Sequence, residues 1–444
     1  MEILDIPALY LGIGALLWLL FTVFFFWKSE WIGAALVTIF FFAQVILDLV
    51  LGGIDIPNGQ LILILFGPLL LASVVLRQDA PIRIGNIFPI FLLAVTITVS
   101  IVLNGMSFWD YKSQLTPPIF AILLYLAIPG IREARFLINL FLLFVVISTS
   151  VAALQYMGFE NMYLPSQRRL SEAGGFQRGI GLANHFWMTG LYCAATIPIA
   201  VMGSLTANSR WKRQLYIVTG IFAVAGLTFT SLRAGLIGGV FGALLALFFW
   251  SRATAIRYSV AALVVLGLLF AAVPLLRTSS EALLEHTTTL DASAKRRPEL
   301  IMQGLEIWRK APLLGAGPKS MLRTFNVGDT HNSFVNVLAD YGLIGETFFL
   351  AVVVMSFRSL ARAYRRLPDE RGFIQGLLGA LASIYVVSIV HAVNYIELYW
   401  MFPALALAID RSRGQRPGAA SGETQASAMK PDIRILMPRS GGIR

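Results

Sequence analysis

Long apolar runs alternate with short polar segments along most of the chain. Many of these runs approach the roughly 20 residues that an α-helix needs to cross the hydrocarbon core of a membrane. The longest polar interruption covers residues 276–331, and an apolar run that starts HNSFVNVLADYGLIG, residues 331–345, follows it. The pattern predicts spans at 8–27, 32–51, 60–77, 84–104, 117–129, 135–156, 182–203, 214–231, 234–251, 255–275, 332–357, 372–393 and 397–410.

The composition agrees with this pattern. Of the 444 residues, 57% are hydrophobic and 13% are charged, which is typical of a polytopic membrane protein and excludes an ordinary soluble domain. We therefore predict an all-α protein with about 12 transmembrane helices, or 13 if both short apolar runs cross the membrane. The single cysteine, Cys193, lies inside a predicted span, so the sequence offers neither a disulfide framework nor a cysteine-based metal site.

Lys and Arg residues indicate the orientation of the predicted helices. The basic loops 204–213 and 358–371 are expected in the cytoplasm, because positive residues in short loops are retained there. The loops 157–181 and 276–331 then face the periplasm, and the basic tail 411–444 is expected to be disordered and cytoplasmic. The chain thus divides into helices within 1–275, a large periplasmic loop at 276–331, helices within 332–410, and the tail. The net charge of +11 reflects this bias, and no nucleic-acid motif accompanies it.

His331 is the most informative single residue, because it ends the long polar loop at the start of a predicted membrane helix. The backbone N–H groups of a helix N-terminus carry partial positive charge, which disfavours an imidazolium. A neutral imidazole near pH 7 accepts protons, so His331 is a candidate general base. The alternative is a histidine that only caps the helix at the membrane surface.

Four arginines are predicted on the same side as His331. Arg233 is the only charge in a very short outward connection, whereas Arg178 lies in the longer loop 157–181 and Arg296 and Arg297 lie in the large loop. Guanidinium groups bind phosphate oxygens in bidentate fashion. The alternative is that these arginines only reach lipid headgroups.

Residues 294–308 have the pattern of an amphipathic helix in the membrane surface. Pro298 suits its first turn, and the apolar positions recur at helical spacing. The predicted apolar stripe consists of Leu300, Ile301, Leu305 and Trp308. Such a helix either anchors the loop or also contributes its arginines to a site.

A neutral base beside several guanidinium groups suits glycosyl transfer from a polyprenyl-diphosphate sugar. The base would deprotonate the acceptor hydroxyl, and the arginines would stabilise the departing diphosphate. The outward loops contain no carboxylate cluster with Mg²⁺-binding spacing. We therefore expect a reaction that needs neither a metal nor another cofactor.

Residues 175–345 resemble the bacterial O-antigen ligases, which share a fold with O-antigen polymerases and protein O-oligosaccharyltransferases. The resemblance rests on His331-Asn332 followed by Gly342 and Gly345, with the upstream order Arg296, Trp308, Pro312, Gly315, Gly317. It implies a GT-C-like fold with typically twelve spans and cytoplasmic termini, whereas the thirteen predicted spans place the N-terminus outside. Gly342 and Gly345 are expected to allow close packing of another helix.

The resemblance also implies roles and substrates. His331 would be the base, and Arg233 with Arg296 or Arg297 would bind the diphosphate, with Arg178 as a further candidate. The donor would be an undecaprenyl-diphosphate-linked glycan and the acceptor lipid A–core, at the periplasmic face of the bacterial inner membrane. The alternatives are a polymerase of the same superfamily, a protein O-oligosaccharyltransferase, or a polysaccharide-lipid transporter.

Overall fold

A computed structural model describes residues 84–107, 114–159, 162–163, 167, 179–183, 185–251, 253 and 292–411. Within these ranges the regular structure is entirely helical, which confirms the predicted all-α membrane protein. The helices are α1 (Ile84–Leu103), α2 (Thr116–Ala127), α3 (Ile131–Tyr156), α4 (Phe186–Thr206), α5 (Arg210–Thr230), α6 (Arg233–Trp250), α7 (Ala292–Lys310), α8 (Ser320–Phe325), α9 (Ser333–Arg366), α10 (Arg371–Ser388) and α11 (Glu397–Arg411).

Seven helices in the described part of the chain are long and apolar enough to cross a membrane, namely α1, α3, α4, α5, α6, α9 and α10. Each of them corresponds to a span predicted from the sequence. The two short predicted spans are the 12-residue α2 and the 15-residue α11. The predicted spans 8–27, 32–51, 60–77 and 255–275 lie outside the described residues, so the total of about 12 stays a prediction.

Small residues allow α6 to pack closely against α10. A Cβ added at Gly238 would lie 2.7 Å from the backbone oxygen of Ser383, and one at Gly242 would collide with the backbone oxygen of Gly379. Close backbone approach of this kind is typical of helix packing in membranes. Because Gly238, near the start of α6, meets the last turns of α10, the two helices are antiparallel.

The helices therefore have two common ends. The histidine end contains the N-termini of α4, α6 and α9 and the C-termini of α3, α5 and α10. The arginine end contains the C-terminus of α9, where Arg362 and Arg366 pair with Asp410, and the N-termini of α3 and α10, which are linked by the ion pair of Arg135 with Glu370. His331 and Arg233 consequently lie at the same end of the bundle.

The helix α9 is broken at Gly342, where φ is 66° and ψ is −167°. Essentially only glycine adopts this conformation. The break leaves backbone groups that a straight helix would pair internally, and the turn after α7 satisfies them. Leu343 N donates to Pro312 O at 2.9 Å, Ile344 N to Leu313 O at 3.1 Å, and Gly317 N to Asp340 O at 2.9 Å.

This arrangement fixes the direction of the first part of α9, which follows His331. The turn and the break approach so closely that a Cβ on Gly342 would overlap the backbone of Leu313. Gly345 lies one turn further, where an added Cβ would collide with the Tyr341 side chain of the same helix and lie 3.7 Å from Thr96 of α1. Gly342 therefore packs against a turn of the preceding loop, whereas Gly345 packs against Tyr341 and, less closely, against α1.

The helix α7 corrects two details of the sequence analysis. It begins at Ala292, so Pro298 lies inside the helix rather than in its first turn; the alanines, lysine and arginines before Pro298 are compatible with a helix. Its fully buried face consists of Leu300, Gly304 and Ile307. Of the expected stripe, Leu300 is buried, whereas Ile301, Leu305 and Trp308 are only half-buried.

The buried face of α7 packs onto the residues that lead into and begin α9. Leu300 and Ile307 form a small core with Met321 and Ala339. A Cβ added at Gly304 would lie 2.7 Å from the Thr330 side chain. The loop helix is thus docked directly beside His331.

Candidate functional site

The backbone of His331 has a conformation that is rare for residues other than glycine. Its φ is 51°, in the left-handed region, and non-glycine residues held there often mark functional sites. The side chain of Asp329 stabilises this turn, because its Oδ1 accepts a hydrogen bond from His331 N at 2.7 Å. The Thr330 hydroxyl adds to it by donating to Asn332 O at 2.7 Å.

The imidazole of His331 contacts the same carboxylate. Its Nδ1 lies 2.8 Å from Asp329 Oδ1, with 38% of the His331 side chain and 20% of the Asp329 side chain exposed. In the neutral ring, an Nδ1–H that is donated to Asp329 leaves a lone pair on Nε2. A carboxylate that holds a histidine in this way orients the ring for proton transfer.

The helix cap is Asn332, not His331. Asn332 Oδ1 accepts hydrogen bonds from Phe334 N and Val335 N, both at 3.0 Å. The partial positive charge of these amides was expected to act on the imidazole of His331. Both amides instead donate to the Asn332 side chain. The near electrostatic partner of His331 is therefore Asp329, which the sequence analysis did not assign to the site. A sequence signal for this turn was available, because the side chain of an Asp often accepts a hydrogen bond from the backbone N–H two residues further along the chain.

A further histidine, His391, lies at the same end as His331. The rings of His331 and His391 have centroids 6.3 Å apart. Burial lowers the pKa of His391 to about 4, and the charges of Arg297 and His331 lower it as well, whereas the charge of Asp329 acts in the opposite direction. His391 is therefore neutral near pH 7 and has Arg297 in its vicinity.

The four arginines predicted to lie on the same side as His331 differ in their burial. Arg233 is the first residue of α6 and is half-buried at the histidine end. Arg297 is half-buried and its charge acts on His391, whereas Arg296 is exposed. Arg178 lies outside the described residues. Of the Arg296–Arg297 pair, Arg297 is thus the residue near the histidines.

The position of Arg233 favours binding of an anion. The N-terminus of a helix attracts anions through its N–H groups and its dipole. A guanidinium in this position adds a formal positive charge to the same region. The turn before it contains Ser231, whose φ is 53°, so the connection between α5 and α6 is tight.

The site combines a histidine held by a carboxylate with arginines at the same end of the bundle. Within the described residues, no three His, Cys, Asp or Glu side chains are placed to hold a metal ion together. The arrangement suits removal of a proton from a neutral nucleophile beside an anionic leaving group.

No curated protein matches the chain. The model of the O-antigen ligase family matches residues 215–350, a segment that contains Arg233, Arg297, Asp329 and His331. This match confirms the resemblance that the sequence motifs had indicated, and residues 215–350 carry the O-antigen ligase family domain.

Proposed function

We propose that this protein is an O-antigen ligase in which His331, oriented by Asp329, is the general base. His331 Nε2 takes the proton of an acceptor hydroxyl, and the oxygen forms a new bond to the anomeric carbon of the donor glycan. The bond from that carbon to the diphosphate breaks, and undecaprenyl diphosphate leaves with the electron pair. The observation that carries this proposal is the 2.8 Å contact between His331 Nδ1 and Asp329 Oδ1.

The donor diphosphate is proposed to bind Arg233 and Arg297. Diphosphate is doubly charged or more near neutral pH, and two guanidinium groups stabilise the charge that develops as it leaves. Arg233 offers in addition the N-terminus of α6. Arg178 is a further candidate, since it precedes Gly179, whose N donates to Phe229 O at the end of α5, at 3.0 Å.

The histidine end is proposed to face the periplasm. The arginine end carries basic residues at the ends of α9 and α10, which are typical of cytoplasmic segments. The protein would then cross the inner membrane about twelve times, with its C-terminal tail in the cytoplasm. Lipid A–core at the outer leaflet would be the acceptor.

A reconstituted assay tests this proposal. Purified full-length protein in liposomes is given an undecaprenyl-diphosphate-linked glycan, with either lipid A–core or a second carrier-linked glycan as the acceptor. We expect transfer to lipid A–core, and we expect it to persist in excess EDTA. Transfer only to the carrier-linked glycan would identify a polymerase instead, and a loss in EDTA that Mg²⁺ or Mn²⁺ restores would reveal a metal requirement.

Deletion of the gene gives an independent test in the cell. Loss of long-chain lipopolysaccharide with carrier-linked polymer retained is the expected result. If the polymer itself disappears, the protein acts in polymerisation and the ligase proposal is wrong.

A further inference from the structure

Residues 389–396, between α10 and α11, lie beside the site although they are outside the segment that the family model matches. The two residues after His331 form hydrogen bonds with residues 389–396. Asn332 Nδ2 donates to Ile389 O at 2.8 Å, and Ser333 Oγ donates to His391 O at 2.9 Å. Val393 N in turn donates to Ser333 Oγ at 2.9 Å. The segment is therefore held in a fixed position relative to His331.

This attachment places the ring of His391 beside that of His331. The centroids are 6.3 Å apart and the planes make an angle of 59°. Among the described residues, no hydrogen bond engages the ring nitrogens of His391, whose backbone oxygen makes the contact to Ser333. The described residues therefore leave the hydrogen-bonding capacity of the ring unused.

The protonation state of His391 selects the kind of ligand. With its pKa at about 4, the ring is neutral near pH 7 and offers one N–H donor and one lone pair. A hydroxyl uses both functions, because it donates and accepts hydrogen bonds. A diphosphate only accepts, so it leaves the lone pair unused, and the arginines serve it better. The neutral ring therefore suits a sugar hydroxyl.

We propose that His391 binds a hydroxyl of the acceptor sugar next to the hydroxyl that His331 deprotonates. This inference rests on the proposed function and names the residue that selects the acceptor. Two imidazoles side by side hold two neighbouring hydroxyls of one sugar, so the attacking oxygen is oriented as well as activated. His391 is thus a binding residue for the acceptor, whereas Arg233 and Arg297 serve the donor.

The test compares His391→Leu with His391→Gln in the reconstituted assay. Leucine fills much of the same space without polar atoms, whereas the glutamine amide again offers a donor and an acceptor. We expect His391→Leu to raise the acceptor KM about tenfold, which corresponds to the loss of one hydrogen bond, with the donor KM unchanged. His391→Gln should restore most of the affinity for the acceptor.

A matched control is Ile389→Ala, since the Ile389 side chain in the same segment is 53% exposed and only its backbone oxygen holds Asn332. Its kinetic constants should stay near those of the wild type. All variants are first compared with the wild type by size-exclusion profile and thermal unfolding, and kinetic constants are expressed per folded molecule.

Three results would overturn the inference. An unchanged acceptor KM in folded His391→Leu protein means that the ring does not bind the acceptor. Equal rises in the donor and acceptor KM, or failure of glutamine to restore affinity where leucine loses it, indicate a structural role. In all three cases the wild type still transfers glycan to lipid A–core and the proposed function stands. If the wild type transfers nothing to lipid A–core, the proposed function fails and this inference fails with it.

Discussion

The two ends of α9 hold their charged residues in opposite ways. At the arginine end, Asp410 is 1% exposed and accepts hydrogen bonds from Arg362 Nη2 at 2.6 Å and from Arg366. At the histidine end, the carboxylate of Asp329 is partly exposed and holds a partly exposed imidazole on a left-handed backbone. A buried carboxylate between two arginines stabilises the bundle, whereas an accessible pair on a strained turn is suited to chemistry.

The largest expected effect is at the histidine end. His331→Ala should lower the rate of transfer by about two to four orders of magnitude, because it removes the positioned base. The thermal unfolding midpoint should change little, since alanine loses only the contacts that the partly exposed ring makes with Asp329 and His391. Transfer is measured in liposomes containing equal amounts of inserted protein, and near-normal turnover would show that another group acts as the base.

At the arginine end the expected effect is on stability. Asp410→Asn should lower the free energy of unfolding by about 3 kcal/mol, because it removes the negative partner of two arginines from a buried position. Turnover per folded molecule should be unchanged. The matched control is Glu370→Gln at the same end, where the carboxylate is 28% exposed against 1% for Asp410 and the ion pair with Arg135 is expected to contribute less than about 1 kcal/mol.

Equal destabilisation by these two substitutions would show that the burial of Asp410 does not make its ion pairs more important for stability. A large loss of turnover in folded Asp410→Asn protein would show that the arginine end also affects the reaction.

Lysine substitutions at the arginines near His331 separate the contribution of the guanidinium geometry to donor binding from that of the positive charge. Arg233→Lys and Arg297→Lys keep the charge but lose the planar fork, so donor affinity should fall about tenfold or more. Arg296→Lys is the matched control, because Arg296 is adjacent in sequence and exposed. Binding of an undecaprenyl diphosphate to the purified variants measures this. Wild-type affinity in Arg233→Lys and Arg297→Lys would reject their assignment to the diphosphate.

The last expected effect is the pH dependence of stability that His391 contributes. Its pKa is about 4 in the folded chain, against an ordinary value of 6.5. Between these values the unfolded chain binds a proton that the folded chain does not, so stability falls as the pH is lowered from 6.5 towards 4. His391→Gln should make this decline shallower, as thermal unfolding at a series of pH values will show. Parallel curves for the two proteins would mean that the ring is not held in its neutral form.

The membrane architecture could be predicted from the sequence because apolar runs and basic loops are local signals. All seven spans found in the described residues were predicted in this way. The break at Gly342 could not be predicted, since the residues on both sides keep a helical pattern. The carbonyl groups that accept hydrogen bonds from the residues after the break belong to Pro312 and Leu313, in a separate turn. The start of α7 was misplaced because Pro298 is common in a first turn but is also compatible with this helix interior.

The site itself was only partly accessible to sequence reasoning. His331 was singled out because it joins a polar loop to an apolar run. The role of Asp329 depends on the backbone turn that brings both His331 N and Nδ1 to one carboxylate oxygen. The approach of His391 depends on hydrogen bonds from Asn332 and Ser333 to a distant segment. Neither contact leaves a pattern in the order of the residues.

A double-mutant cycle determines whether Asp329 acts through His331. Turnover is measured for the wild type, Asp329→Asn, His331→Ala and the double variant in the same liposome assay. We expect Asp329→Asn alone to lower turnover about a hundredfold or more and the double variant to be no slower than His331→Ala, because residues that act as one unit are not additive. If the two losses multiply in the double variant, Asp329 and His331 act independently, and the proposal that Asp329 orients the base is wrong.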